Sequence, residues 1–174
     1  MNVMRPHRHR HDPSKNLVGF LIGDVSYAVP IAIVREIANP LDVVALPHAP
    51  AAVLGVAHYR GEIIPVLDVR ARFGLPGTPT TRKTKWIILV SVDRLVAIVV
   101  DAVTDVFGTA GAELAPSPPL GGGEDLRGIA GVTTYDGRMV FVLDSSRFKD
   151  VAAAAGALGD GAGGRPVPLP RGEP

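Results

Sequence analysis

The feature that most constrains this chain is a repeat. Gly55-Val56-Ala57-His58-Tyr59-Arg60-Gly61-Glu62-Ile63-Ile64-Pro65-Val66-Leu67-Asp68 is matched, 76 residues later, by Gly131-Val132-Thr133-Thr134-Tyr135-Asp136-Gly137-Arg138-Met139-Val140-Phe141-Val142-Leu143-Asp144, with seven of fourteen positions identical. A turn glycine placed twice between two apolar runs implies the same backbone demand twice, and so two related halves. Asp136-Gly137 is the strongest hairpin signal, because a two-residue hairpin turn needs the positive φ angles this pair supplies. Upstream of each copy lies another hairpin pattern, Leu17 to Pro30 around Gly23-Asp24 and Trp86 to Val100 around Asp93-Arg94. Each is followed by a stretch rich in valine with an acidic residue, Val34-Arg35-Glu36-Ile37 and Val103-Thr104-Asp105-Val106. Each half thus holds about five short strands, and five strands left as an open sheet would expose pairing edges. Closure into a small barrel removes them. The expected fold is mainly β: two pseudo-symmetric, five-stranded, SH3-like small barrels packed together. Short helical turns are expected near Pro50 to Val53, Val69 to Phe73 and Ser145 to Lys149. The linear boundaries follow as a first barrel over about 17–74, a linker over 75–85 (LPGTPTTRKTK) and a second barrel over about 86–148.

Composition supports a folded body. A domain near 150 residues buries roughly 70% of its extended surface. Here 47% of the 174 residues are hydrophobic and 20% charged, far from the composition of a disordered chain. Residues 1–16, basic and rich in histidine, and residues 149–174, rich in Ala, Gly and Pro, read as flexible tails. A formal charge of +1 gives no field to steer the whole molecule to nucleic acid or an acidic membrane. The absence of cysteine excludes disulfides, thiolate zinc sites and a cysteine nucleophile. The longest apolar run, Leu95 to Val100, is well short of the roughly 20 residues of a spanning helix, and no secretory signal is visible. A cytoplasmic protein is the expectation.

Chemical motifs are sparse. Asp68 and Asp144 occupy equivalent strand ends and read as caps on the helical turns that follow, rather than as an acid–base pair. His48 and His58 lack ligand spacing, and His7, His9 and His11 lie on a tail, so no metal site or cofactor is expected. Gly121-Gly122-Gly123-Glu124 has no following Lys-Ser or Lys-Thr, and Arg82-Lys83-Thr84-Lys85 lacks the spaced glycines of a phosphate loop. No nucleophile elbow or His-Glu-x-x-His motif occurs, so no enzyme is expected.

The sequence resembles the CheW family of chemotaxis coupling proteins, from about Leu17 to Phe148. The strongest stretch, Val53 to Gly74, is similar to the family's Asn-Leu-Arg-Gly turn followed by an apolar strand ending in Pro-Val-x-Asp-Leu-Arg. Tyr27 to Ile37 resembles its first hairpin and Val-x-Glu-Ile segment, and Ile98 to Val106 its Val-Val-Asp stretch. His58 and Tyr59 stand where Asn and Leu are usual, and the loop around Gly121-Gly122-Gly123 is shorter than the family's. The resemblance implies a two-barrel adaptor without catalysis, linking the cytoplasmic tip of a chemoreceptor to the regulatory domain of the histidine kinase CheA. No membrane insertion of its own is implied. Val34, Glu36 and Arg60 match positions tied to receptor coupling, and Pro119 and Leu120 fall in the segment of the kinase contact.

Read physically, Arg60 sits at a hairpin turn, where a guanidinium suits either tying the turn to its neighbour or gripping a helix end. Glu36 is open to pairing with a basic partner residue or to a plain solvated role. Val34 and Ile37 fit a core as well as a contact. Leu120, behind Pro116-Ser117-Pro118-Pro119, is costly to expose, so it folds back onto a barrel or enters a partner pocket. The alternative function is a small-barrel nucleic-acid-binding protein, suggested by Arg5, Arg8, Arg10 and the Arg82 to Lys85 cluster. With aromatic residues at 5% that reading has little to stand on.

Overall fold

The computed structural model describes residues 12–91, 94–109, 114–116, 128–148 and 153. Eleven strands are formed in this span: β1 (Leu17–Ile22), β2 (Val25–Pro30), β3 (Val34–Ala38), β4 (Val43–Val44), β5 (Val53–Tyr59), β6 (Glu62–Asp68), β7 (Lys85–Ser91), β8 (Arg94–Val100), β9 (Ala102–Phe107), β10 (Ile129–Tyr135) and β11 (Arg138–Leu143). One short helix, α1 (Val69–Arg72), follows β6, and 3-10 turns lie at Pro13–Lys15, Ile31–Ile33 and Ser145–Phe148. Both expected caps form: the Asp68 carboxylate accepts from the backbone N–H of Arg70 at 2.8 Å and of Ala71 at 3.2 Å, and Asp144 accepts from Ser146 N–H at 2.8 Å. The turn expected to be helical near Pro50 is a single hydrogen-bonded reversal, Val53 N–H to Pro50 C=O at 2.8 Å, after which the chain extends into β5. The expected tails lie almost wholly outside the described residues.

The strands form two sheets, one ordered β10-β11-β2-β1-β9 and the other β3-β7-β8-β6-β5-β4. The two barrel-like units are therefore not the stretches 17–74 and 86–148. Each half lends its leading hairpin to the other: β1–β2 joins β9, β10 and β11, while β7–β8 joins β3 to β6. The insertions are made by parallel pairing, Val142 opposite Ala28 on one side and Val66 opposite Ala97 on the other. The physical reason is that both hairpins are apolar on both faces. In β8, Val96, Ile98 and Val100 join one buried cluster while Ala97, with Leu95 and Val99 packed beside it, belongs to another. A hairpin at the rim of its own sheet would leave one apolar face and one edge uncovered; an inserted hairpin leaves neither.

Three layers of core result. The central one lies between the sheets and joins Val18, Phe20, Ile22, Tyr27 and Val29 of one to Ile87, Leu89, Val96, Ile98 and Val100 of the other. The hollow of the six-stranded sheet holds Ala57, Tyr59, Ile64, Val66, Trp86 and Ile88; that of the five-stranded sheet holds Leu17, Ala28, Phe107, Val140 and Val142.

Gly55 and Gly131 show why the repeat keeps glycine. Each lies at a register shift in its hairpin, where the preceding edge segment crosses against it. A Cβ on Gly55 would stand 2.1 Å from the Val44 carbonyl oxygen, and one on Gly131 2.8 Å from that of Ala115. Gly55 also has φ +146. Gly61, at φ +88, has open space around it. Gly55→Ala is expected to cost about 3 kcal/mol or more, combining strain with a clash against backbone, and Gly61→Ala about 1 kcal/mol. Urea midpoints measured on both variants check this ordering, and equal midpoints would remove the close approach as the reason for glycine.

Candidate functional site

Two of the residues singled out in the sequence, Glu36 and Arg60, meet on the six-stranded sheet. β3 runs antiparallel to β7 with an irregularity: Ala38 faces Trp86, Ile37 faces Ile87 and Glu36 faces Ile88, but the next pair is Val34 with Leu89. The extra residue, Arg35, turns the strand over. Glu36 consequently shares the face of Ile88, which lines the hollow of the sheet, while Val34 shares that of Leu89 and packs against the central core. Residues two apart in a regular strand would point the same way. The bulge separates Val34 from the other two.

Arg60 is brought to Glu36 by the turn between β5 and β6. It has φ 49, an uncommon conformation for a residue with a side chain, and Gly61 follows with φ 88. This tight reversal aims the guanidinium back across the mouth of the hollow. Arg60 Nη2 donates to Glu36 Oε2 at 2.7 Å and Nε donates to the same oxygen at 3.1 Å. The Tyr59 hydroxyl also donates to Oε2. The guanidinium carbon lies 5.6 Å from the Tyr59 ring centroid, within cation–π range. In the sequence Tyr59 is visible only as a departure from the usual leucine. The signal for its role is the alternation at the end of β5, which buries Ala57 and Tyr59 in the hollow of the sheet and leaves His58 exposed between them.

The electrostatics follow from this geometry. The Tyr59 hydrogen bond, then the Arg60 hydrogen bonds and charge, hold the Glu36 carboxyl below its ordinary value of 4.5. The same bond to Glu36, with some burial, raises the Tyr59 hydroxyl above 10.0, so it remains a donor at neutral pH. Arg60 is raised further above its ordinary range by Glu36. A carboxylate held ionised by three donors is a poor proton acceptor, so the cluster suits recognition rather than proton transfer. It remains open to a partner: the Arg60 side chain is 70% exposed and that of Glu36 35%. Arg60 Nη1 and Glu36 Oε1 take part in no hydrogen bond among the described residues, leaving one donor edge and one acceptor for another protein.

Pro119 and Leu120 lie outside the described residues. In the basic stretch Arg82 to Lys85, the Lys85 ammonium donates to Asn39 Oδ1 at 2.8 Å and to the Arg82 carbonyl at 3.2 Å, which ties it to its own surface.

The lowered Glu36 carboxyl fixes a pH dependence. A group whose pKa is lower in the folded state contributes stability that is full above its unfolded value and lost as pH falls through the folded one. Glu36→Gln is therefore expected to lower the urea midpoint at pH 7, and the gap from the parent chain to narrow steadily below pH 4.5. A gap that does not change with pH would mean that the charge on Glu36 contributes nothing.

Comparison with known proteins places this geometry in context. A model of the CheW-like domain matches residues 16–152. The chain is 31% identical over 137 residues to "Chemotaxis protein CheW" of Rhizobium meliloti, covering 79% of this chain and 88% of that protein. It is 35% identical over 132 residues to "Probable chemotaxis protein CheW" of Rhizobium etli, covering 75% and 84%. The crystal structure of the scaffolding protein TtCheW from Thermoanaerobacter tengcongensis superposes with a TM-score of 0.70 at 26% identity, covering 80% of this chain and 90% of that one. The exchanged pair of barrel-like sheets, the turn that carries Arg60 and a match spanning nearly all the described residues agree: this chain belongs to the CheW-like domain family, whose members are chemotaxis coupling adaptors.

Proposed function

We propose that this chain joins the cytoplasmic tip of a chemoreceptor to the regulatory domain of a CheA-type histidine kinase, working in the cytoplasm at receptor arrays and catalysing no reaction itself. The observation that carries the receptor side is the convergence of Glu36 and Arg60, from different hairpins, into an exposed ion pair with a donor edge and an acceptor still unused. A helical receptor tip offers side-chain carboxylates and amides that such a pair can grip, and rim charges of this kind set partner choice and encounter rate. Val34 supports this face from behind, through its packing on the central core. Pro119 and Leu120 are assigned to the kinase contact on the family resemblance. The nucleic-acid alternative is not favoured by relatives described as chemotaxis proteins, and of its basic cluster Lys85 is already engaged by Asn39 and the Arg82 carbonyl.

The test is reconstitution of a ternary complex from receptor signalling fragment, CheA and this chain, read by co-sedimentation and kinase activity. Arg60→Ala is expected to weaken receptor association by about tenfold with CheA binding retained, the scale of losing a charge-assisted contact. Leu120→Glu is expected to do the reverse. Val34→Ala is expected to lower the urea midpoint while leaving both affinities in place. Normal receptor association with Arg60→Ala would sink the assignment of this face.

A further inference from the structure

The hydrogen-bond register makes the mouth of the five-stranded sheet a twin of the Glu36–Arg60 site. β9 lies on β1 as β3 lies on β7: Phe107 faces Leu17 and Val106 faces Val18, the register then shifts, and Val103 faces Phe20. Asp105 is thereby the counterpart of Glu36. In the hairpins, Tyr135, Asp136, Gly137 and Arg138 stand where Tyr59, Arg60, Gly61 and Glu62 stand, and Asp136 has φ 47 against 49 for Arg60. The backbones agree, but the turn position that carries Arg60 in the first mouth carries no cation in the second. In the first mouth the turn residue supplies a guanidinium between a tyrosine ring and a carboxylate; in the second the turn supplies another carboxylate.

The second mouth is also open. A cavity of about 160 Å³ is lined there by Tyr135, Phe107, Asp105, Asp136 and Arg138, among others. Tyr135 is stacked on Phe107 with centroids 4.0 Å apart and planes at 12°, so the ring is fixed while 36% of the residue faces solvent. Among the described residues, no ion pair joins Arg138 to Asp105 or Asp136, and the rim keeps one negative charge in excess.

We propose that this cavity receives the side chain of an arginine on a protein partner, its guanidinium lying on Tyr135 between Asp105 and Asp136. A planar cation that stacks on a fixed ring and donates along two edges fits this set better than a lysine ammonium. The source is a peptide-linked arginine, because a chain similar to a scaffolding protein meets protein surfaces, and the cavity, at about 160 Å³, has room for a guanidinium and part of its stem rather than for a zwitterionic α-carbon as well. This reaches beyond the coupling role, and its test involves neither receptor nor kinase, so the two assignments stand or fall separately.

The test is an NMR titration of the isotopically labelled full chain with acetyl-arginine-amide, acetyl-citrulline-amide, acetyl-lysine-amide and free arginine at low salt. Acetyl-arginine-amide is expected to give saturable shifts at Asp105, Tyr135 and Asp136, with the neutral citrulline analogue silent and the lysine analogue weaker. Asp136→Arg, which recreates the occupied arrangement of the first mouth on a backbone already suited to arginine, is expected to weaken binding by about tenfold or more, and Asp105→Asn likewise. Amide spectra and urea midpoints of the two variants show that the fold is kept. No saturation with acetyl-arginine-amide, equal shifts with citrulline, or undiminished binding in Asp136→Arg would overturn the site. Tighter binding of free arginine would overturn the partner assignment.

Discussion

The structure depends on strands that are apolar on both faces and therefore have to be covered twice. Exchange of the β1–β2 and β7–β8 hairpins meets that demand and makes the central core common property: Phe20 and Ile22 of one sheet lie in the same cluster as Ile87 and Ile98 of the other. Pulling the sheets apart would expose this entire layer, so the two barrel-like units form one cooperative body rather than a tandem. The crossover from β8 to β9 is fastened at Asp101. Its carboxylate accepts from Arg70 Nη1 of α1 at 2.5 Å and from the Gly23 N–H of the β1–β2 turn at 2.6 Å, and its own N–H donates to the Leu21 carbonyl at 3.0 Å. Arg70 and Asp101 are mostly buried as side chains, at 18% and 25% exposed, and solvent screens them less than it screens Glu36 and Arg60. Arg70 also donates to the Pro76 carbonyl at 2.9 Å, anchoring the start of the connection between the halves.

Backbone symmetry and side-chain asymmetry then do different jobs. The register is reproduced in the hairpins and in the bulge that turns β3 and its counterpart in β9, while the pairing of β4 on β5 is answered by an isolated bridge from Ala115 to Val132. What differs is which charges the turns carry, and a symmetric pair of mouths would present two equal surfaces. An adaptor has to tell its partners apart, and the cheapest place to encode the difference is a hairpin turn, where side chains change without disturbing the layers beneath. The conformation at Arg60 and Asp136 is held by the turn whichever residue stands there.

The sequence was informative where a local backbone demand leaves a mark. Asp136-Gly137 and Arg60-Gly61 announce their hairpins, and Asp68 and Asp144 their caps; Gly55 and Gly131 stand in the sequence only as matched positions of the repeat, and the close approach that requires them is visible in the folded chain. The continuous apolar run of β8 says that both faces are buried, but not which strand covers either one, so the exchange of hairpins leaves no mark in the sequence and the linear order suggests two separate halves. The bulge at Arg35 was equally silent, because nothing in Val-Arg-Glu-Ile departs from an ordinary strand; it parts Val34 from Glu36, which the resemblance had grouped together. Tyr59 was legible only as an unusual residue, since its hydroxyl matters through a carboxylate on another hairpin.

An exposed ion pair is a weak fastener, and this bears on how such a site serves a scaffold. Solvent and salt screen Glu36 and Arg60, so their contact contributes more to choosing a partner and its orientation than to holding it. The Tyr59 hydroxyl changes that balance by fixing the carboxylate in advance, so less side-chain freedom is lost when a partner arrives. A scaffold built from several such modest contacts gains its strength from simultaneous engagement, because once one partner is held the next meets its site at a high effective concentration. Each contact can then stay weak enough to exchange and selective enough to exclude the wrong partner, and the rigid double-layered body beneath keeps the sites at a fixed spacing while that happens.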